Sequence, residues 1–260
     1  MIVDYHMHTL ADVSGKHEPV EYIKIAKEKN LDEIGFSEHF HIKPKYYSLK
    51  YKQLPEYIKM VQSLKNTAGI PLKLGIEMDF VPGLEEEIRK IIESNPFDYI
   101  IGSVHFIGNW DFDNPEKISS YDKWDLYKLY QVYFNMIKQA AKSKLFNIIG
   151  HIDLIKIFGF KPKRDISNLL EDMIEILGKC NVCIEVNTSG LRKPCREIYP
   201  SEKLLKMSFD KGVQITLGSD AHKPEDVGRD FDKTIFLIRK VGYKKIATFE
   251  NRKMKLVELG

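Results

Sequence analysis

Two histidines set two residues apart, His6 and His8, lie shortly after the apolar residues Ile2 and Val3 near the start of this sequence. Residues i and i+2 of a β-strand point to the same face, so a strand here would project both imidazoles from its end. Two adjacent imidazoles suit a metal site better than a hydrophobic core. A pair of surface histidines would give the same pattern, so the positions of the other histidines must decide between the two interpretations.

The other candidate ligands recur at one kind of position, the end of a short apolar run that is typical of a buried strand. The predicted strands are 2–5, 33–37, 73–77, 99–104, 147–150, 183–186 and 214–218. Seven of the eight histidines lie at or just after such an end, in motifs that include S-E-H, S-x-H, G-H-x-D and S-D-A-H, and a G-x-E motif adds a carboxylate. The candidate metal ligands are His6, His8, His17, His39, Glu77, His105, His151, Asp220 and His222.

Helical patterns lie between these runs. The predicted helices are 18–29 with Pro19 in its first turn, 84–92 ended by Pro96, one from an N-cap at Asp122 to about Lys144, one capped by Ser167, and one from Phe231 to Gly242. Strands alternating with helices predict an α/β fold with a parallel sheet. An open doubly wound sheet would also fit, but no G-x-G-x-x-G follows the first strand. Polar residues at the ends of seven strands favour a closed or nearly closed barrel with its active site at the carboxyl ends of the strands.

Composition limits the function classes. The chain has 260 residues, of which 43% are hydrophobic and 30% charged, as expected for a soluble globular protein. The net charge of +3 argues against a dedicated nucleic-acid binder. No apolar run is long enough to span a membrane and no targeting segment is recognised, so we expect a cytoplasmic protein without membrane partners. The three cysteines suit a reducing compartment, and the C-x-x-C at Cys180 and Cys183 is interpreted as ordinary packing, because no second pair completes a zinc site.

Histidine and carboxylate ligands without thiolate suit zinc, manganese or iron. Nine candidates exceed what one ion needs, because a catalytic zinc ion typically takes about three protein ligands. We therefore expect two or three divalent ions, with Glu77 as the best carboxylate to bridge a pair.

The motifs together resemble the PHP (polymerase and histidinol phosphatase) family over nearly the whole chain. The resemblance implies a single PHP domain over residues 1–260, folded as a distorted (βα)7 TIM-like barrel with a trinuclear metal centre. By motif, His6, His8, Glu77 and Asp220 would hold one ion, Glu77, His105 and His151 a second, and His17, His39 and His222 a third. Asp12 competes with His17, because some members place an aspartate in that first loop.

Clustered divalent ions make phosphoester hydrolysis the natural chemistry, with a metal-bridging hydroxide as the expected nucleophile. Asp220 or His222 would manage the proton of the leaving alkoxide. The phosphate of the substrate would be bound by Arg192, Lys156, Lys193, Arg196 and Ser14. The alternative for each basic residue is a solvated charge on the protein surface. The segment 187–201 and the chain length resemble the histidinol-phosphatase branch. The expected reaction is therefore hydrolysis of L-histidinol phosphate to L-histidinol and phosphate in histidine biosynthesis.

Three alternatives remain open at this point. The first is another phosphoesterase of the family: a general phosphomonoesterase, a nucleotide phosphodiesterase or a 3′ exonuclease. The second is a metal-dependent amidohydrolase, although no convincing site for a carboxylated lysine is seen, and the third is a metal-holding barrel without catalysis. Residues 109–125, with Trp110, Phe112 and Trp124, form either a lid over the substrate or an ordinary surface loop. The helix faces do not predict an oligomeric state.

Overall fold

In the computed structural model, strands and helices alternate along the chain, and residues 1–10, 17–43 and 48–260 are described. The strands are β1 Val3–Asp4, β2 Glu33–Phe36, β3 His39–Phe40, β4 Leu72–Asp79, β5 Tyr99–Ser103, β6 Phe106–Ile107, β7 Trp110–Asp111, β8 Ile148–Ile149, β9 Cys183–Asn187, β10 Gln214–Gly218, β11 Lys245–Glu250 and β12 Lys253–Glu258. The α-helices are α1 Pro19–Glu28, α2 Leu54–Lys65, α3 Glu85–Glu93, α4 Leu126–Lys142, α5 Ser167–Cys180, α6 Glu202–Asp210 and α7 Phe231–Val241.

The central sheet is parallel and closes on itself. Its strands follow the order β1-β2-β4-β5-β8-β9-β10, with β3 added to β4. The two ends of this order meet, because the Tyr5 N–H donates to the Leu217 carbonyl at 3.1 Å and the Ala221 N–H donates to the His6 carbonyl at 3.2 Å. The predicted seven-stranded TIM-like barrel is confirmed, and its closure brings the first strand beside the last.

Tyr99 fills the inside of the barrel. Its ring is fully buried and its hydroxyl donates to the Tyr5 carbonyl at 2.6 Å. A Cβ atom on Gly35 or on Gly75 would lie 2.2 Å from this side chain. Both positions therefore require glycine, because the packed interior has no room for another methyl group beside the Tyr99 side chain.

The hairpin of β11 and β12 covers the end of the barrel opposite the predicted site. The Arg252 N–H donates to the Asp98 carbonyl at 2.8 Å, and Asn147 Nδ2 donates to the Arg252 carbonyl at 3.0 Å, just before β5 and β8 begin. The patterns in the sequence did not predict this hairpin. Its turn residues, Asn251 and Arg252, both have positive φ but lack the glycine that usually marks such a turn.

Two predicted helix caps were wrong. Asp125, not Asp122, caps α4 by accepting the Lys128 N–H at 2.9 Å, because residues 115–123 form a separate 3₁₀ helix. Ser167 is the first residue of α5, and the Asp165 carboxylate accepts its N–H at 3.0 Å. The predictions that placed Pro19 at the start of α1 and Gly242 at the end of α7 are confirmed. Among the described helices none combines the length and the apolar character that crossing a membrane requires.

Candidate metal centre

The predicted ligands converge at the carboxyl ends of the barrel strands. His6 and His8 follow β1, His39 lies in β3, Glu77 lies in β4, His105 follows β5, His151 follows β8, and Asp220 and His222 follow β10. Their nitrogen and oxygen atoms form four overlapping groups, each with all its ligand atoms within 4.8 Å of one another. The groups are His6–His8–Asp220, His6–Glu77–His151, His39–Glu77–His105 and His8–His39–His222. The barrel thus assembles all of the predicted ligands except His17.

Glu77 occupies the middle of this cluster, and its two carboxylate oxygens face different histidines. Oε2 lies 2.5 Å from His39 Nδ1 and 3.3 Å from His6 Nε2. Oε1 lies 3.0 Å from His151 Nε2 and 3.5 Å from His105 Nε2. Glu77 thus lies between two sets of imidazoles, and its role as a bridging ligand stays a prediction.

His8, His39 and His222 form a second close set. The ring of His8 lies 3.9 Å from that of His39 and 4.4 Å from that of His222, measured between centroids. His39 Nε2 and His222 Nε2 are 3.3 Å apart. Imidazolium ions would repel one another at this range, whereas neutral imidazoles can share a cation. In the structure His8 therefore completes the group that the family resemblance assigned to His17, His39 and His222.

Carboxylates outside the cluster orient two of its histidines. His6 Nδ1 lies 2.6 Å from Glu185 Oε1, and His105 Nδ1 lies 2.9 Å from Asp79 Oδ1. Because a carboxylate accepts hydrogen bonds, each pairing places the proton on Nδ1 and turns Nε2 towards the cluster. Gly218 makes room for one pair, since a Cβ there would lie 1.9 Å from Glu185 Oε1.

Sequence reasoning assigned no role to Glu185 or Asp79. A signal for Glu185 was present, because it is a charged residue inside the apolar run C-I-E-V-N and needs a partner when buried. Glu185 is 1% exposed, and its Oε2 accepts the His151 N–H at 3.0 Å and Asn187 Nδ2 at 3.1 Å. One carboxylate therefore holds residues on three different strand ends.

Burial and neighbouring charges shift the protonation of the cluster. Burial raises the pKa of Glu77, but the imidazoles of His6, His39 and His105 outweigh it and hold that pKa well below its ordinary value. Burial lowers the pKa of His105, whereas Asp79 and Glu77 outweigh burial and raise it to about 10. Burial together with His39 and His222 lowers the pKa of His8 well below its ordinary value. The carboxylates are thus ionised ligands, and protons on the imidazoles compete with any bound cation.

The cluster fits divalent metal ions. His6 Nε2 and both ring nitrogens of His8 are buried and make no well-aligned hydrogen bond to any residue in the described part of the chain. Buried polar atoms are normally satisfied, and the Nε2 atoms of His6 and His8 both lie 3.3–3.7 Å from Glu77 Oε2 and Asp220 Oδ1. Asp220 has a positive φ of 53°, a strained backbone conformation of the kind that clusters at functional sites.

His17, a predicted residue of the first loop, is not brought into this site. His17 is 30% exposed on its side chain, and its Nδ1 lies 3.6 Å from Glu21 Oε2, one helical turn along the chain. Its assignment as a metal ligand therefore has no support from the geometry. Ser14 and the competing Asp12 lie outside the described residues.

A cavity of about 740 Å³ opens beside the exposed edge of the cluster at His222. Arg192, Lys193 and Arg196, three of the predicted phosphate-binding residues, line it. Arg192 is held in place, because its Nη2 donates to the Ser219 carbonyl at 2.7 Å and its Nε lies 3.6 Å from Asp226 Oδ1. These cations can neutralise an anionic group in the cavity, which Asp220 and His222 of the cluster also line.

Lys156 does not have the position predicted for a phosphate ligand. Lys156 is not among the described residues that line the cavity, and it is only 4% exposed. Its ammonium lies 2.7 Å from Asp153 Oδ2 and 3.0 Å from Glu197 Oε2. The spacing of Lys156 from the His151 motif along the sequence suggested a site residue. In the structure, however, buried contacts with carboxylates already neutralise its charge.

The segment 109–125 packs on the body of the protein. The rings of Trp110 and Tyr121 lie 4.9 Å apart, and Tyr121 stacks on Phe160 at 4.6 Å. This packing favours the surface-loop interpretation over the lid.

Cys180 and Cys183 are free thiols at the junction of α5 and β9, as their interpretation as packing residues requires.

Comparisons with known proteins agree with this geometry. A sequence model of the PHP domain matches residues 4–189. The chain belongs to the PHP domain family. A Deinococcus radiodurans protein named "Probable histidinol-phosphatase" is 37% identical over 260 residues, with 98% of each chain covered. The Lactococcus lactis protein named "Histidinol-phosphatase" is 28% identical over 262 residues, with 97% of this chain and 96% of that protein covered.

A solved structure shares the fold over nearly the whole chain. The crystal structure of histidinol phosphate phosphatase from Lactococcus lactis, complexed with zinc, L-histidinol and phosphate, matches with a TM-score of 0.82 at 25% identity. The match covers 98% of both chains. The family resemblance predicted from the motifs is therefore confirmed.

Proposed function

We propose that this protein hydrolyses L-histidinol phosphate to L-histidinol and phosphate, as a metal-dependent phosphomonoesterase of histidine biosynthesis. The observation that carries the proposal is the position of Glu77, whose two oxygens face separate sets of imidazoles beside a cavity lined with arginine and lysine. The substrate is inferred from the full-length relatives named as histidinol-phosphatases.

His6, His8, His39, Glu77, His105, His151, Asp220 and His222 would hold the ions. Bound divalent ions would lower the pKa of a coordinated water and neutralise the charge of the phosphate oxygens. Arg192, Lys193 and Arg196 bind the phosphate from the cavity side and orient its phosphorus towards the cluster.

We assign proton transfer to Asp220, with His222 beside it. Asp220 Oδ2 accepts from Ser189 Oγ at 3.1 Å, while Oδ1 lies 3.4 Å from His8 Nε2. Burial raises the pKa of Asp220, but His6, His8 and His222 outweigh it and hold the pKa well below its ordinary value. The carboxylate is therefore ionised, and its place beside His222 at the cavity suits it to pass a proton between the attacking water and the leaving alkoxide.

The metal content is part of the proposal. Four overlapping ligand groups provide for two or three ions, and zinc is the first candidate because the Lactococcus lactis structure contains it. Manganese and iron suit the same nitrogen and oxygen ligands. The substrate is a small soluble molecule, and we place the enzyme in the cytoplasm, in keeping with its free cysteines.

Phosphate release from histidinol phosphate tests the proposal. The metal-depleted protein is reloaded with zinc, manganese or iron, and kcat/KM is measured for histidinol phosphate, p-nitrophenyl phosphate and a short oligonucleotide. We expect histidinol phosphate to be preferred by at least about a hundredfold, a difference of about 2.7 kcal/mol in transition-state binding. Equal kcat/KM values for the three would reject the specific substrate, and hydrolysis of an amide panel alone would favour the amidohydrolase.

A further inference from the structure

Lys156 is a buried cation with a complete set of acceptors. Its Nζ donates to the Ile198 carbonyl at 2.8 Å as well as to Asp153 Oδ2, and it contacts the Glu197 carboxylate. The ammonium also lies 5.3 Å from the centre of the Tyr199 ring. Removing an ammonium from water is unfavourable unless such partners replace the water, so the partners that Lys156 joins are held at fixed positions.

All of these partners except Asp153 belong to one segment, residues 188–201, which we call the basic loop because it carries Arg192, Lys193 and Arg196. The short turn 153–157 fastens the loop at three points. Lys156 binds Glu197 and Ile198, Asp153 Oδ2 accepts the Ser201 N–H at 2.9 Å, and the Ile157 carbonyl accepts the Cys195 N–H at 3.0 Å. This turn directly follows His151, a residue of the metal cluster.

We propose that Lys156 is a positioning residue that fixes the basic loop at the distance from the metal centre where its arginines meet the substrate phosphate. The proposal rests on the phosphoester hydrolysis proposed above. Lys156 acts through the loop and does not touch the phosphate. The same turn connects the loop to the strand end of His151, so the two halves of the site share one anchor.

The structure provides matched variants for a test. Lys156→Met keeps the length of the side chain and removes the charge, and Asp153→Asn weakens the same anchor from its other side. Lys161→Met is the control, because Lys161 also contacts Glu197, at 2.5 Å, but its side chain is 53% exposed. Metal per chain, kcat, KM and inhibition by inorganic phosphate are measured for each variant and for the double variant of Lys156 and Asp153.

We expect both single variants to raise KM and the inhibition constant of phosphate by about 10- to 100-fold, as for a displaced binding group, with metal content unchanged. The double variant should be no worse than Lys156→Met, because both changes break one anchor. A raised KM in Lys156→Met with a normal KM in Asp153→Asn would overturn the proposal in favour of direct phosphate contact. Loss of metal in both variants would overturn it in favour of a role at the metal centre.

A readout independent of turnover is limited digestion with trypsin. Released from its anchor, the basic loop should be cut faster after Arg192 and Arg196 in Lys156→Met and Asp153→Asn than in the Lys161→Met control. Mass spectrometry identifies the cut sites. Unchanged cleavage would contradict the anchoring, whatever the activity of the wild-type protein. A wild-type protein that hydrolysed no phosphomonoester would reject the proposed function alone. If Lys156→Met fails to fold, Asp153→Asn decides.

Discussion

Glu185 controls the protonation of a proposed metal ligand, so replacing it by glutamine should weaken metal binding. Glu185 Oε1 lies 2.6 Å from His6 Nδ1, while Oε2 accepts from the His151 N–H and Asn187 Nδ2. A glutamine has the same shape but one oxygen and one NH₂ group. If its oxygen faces His6, the NH₂ group meets two other donors. If it is turned over, its NH₂ group donates to His6 Nδ1 and moves the imidazole proton to Nε2, where it blocks the metal.

Both orientations weaken metal binding, the first by placing the NH₂ group against two donors and the second by moving the imidazole proton to Nε2. Changes to groups that orient a metal ligand typically reduce metal affinity by about 10- to 100-fold, or about 1.4 to 2.7 kcal/mol. In the first orientation, the buried donors left without an acceptor would also lower the free energy of unfolding of the metal-free protein by about 1–3 kcal/mol. In either orientation, Glu185→Gln should bind the ion at His6 more weakly.

Zinc affinity is measured by competition with a chromophoric chelator, and Glu175→Gln serves as control because Glu175 lies on the surface of α5, paired with Lys179. The double variant Glu185→Gln/His6→Ala identifies the route of the effect. If Glu185 acts through His6, the double variant binds zinc no more weakly than His6→Ala alone. A Glu185→Gln protein with zinc affinity within about twofold of wild type would refute the reasoning, since no orientation of the amide satisfies all three partners and also leaves His6 Nε2 without a proton.

Four further predictions follow from the same structure. Glu77→Ala should lose at least about one ion per chain, because both ions that its oxygens face would lose a ligand; full metal content by elemental analysis would contradict the bridging role. Arg192→Ala should raise KM for phosphomonoesters by about 10-fold or more with less change in bound metal, and equal metal loss would make Arg192 structural. The pKa of His105, raised to about 10, means that a proton competes with the metal below that pH, so apparent zinc affinity should rise between about pH 6 and pH 9; a flat profile in chelator competition would contradict this. Gly75→Ala should destabilise the protein by about 1–3 kcal/mol in chemical denaturation, because the added methyl group meets the Tyr99 ring, and unchanged stability would refute that packing.

The barrel and most of its metal cluster could be predicted from the sequence because both depend on local patterns. Apolar runs of strand length ended repeatedly in histidine or a carboxylate, and parallel strands bring such ends together at one edge. The positions of His39 and His105 each depend on one such motif. Both residues therefore lie in the cluster, as their motifs predict. The hairpin of β11 and β12 carries no such marker, and its turn lacks glycine, so nothing local announced it.

His17 shows where this reasoning fails. It follows the first strand as the other candidates follow theirs, but it lies nine residues after His8, and the position of such a residue depends on the path of the loop. His8 instead packs between His39 and His222, because β1 runs directly beside β10. The closure of the barrel thus assigns His8 to two overlapping groups, which no spacing along the chain reveals.

Lys156 and Arg192 show that local patterns also do not predict which cation faces the cavity. Each lies six residues beyond the end of its predicted strand, 147–150 or 183–186, so the sequence offers no reason to treat them differently. The difference arises when the Asn187 N–H donates to the Tyr199 carbonyl at 2.6 Å and folds the chain back on itself. This reversal brings Glu197 and Ile198 over Lys156 while leaving Arg192 at the cavity. A cation predicted as a ligand thus becomes an anchor through a contact between residues 42 positions apart, and the loop that it anchors carries Arg192, Lys193 and Arg196 along the cavity.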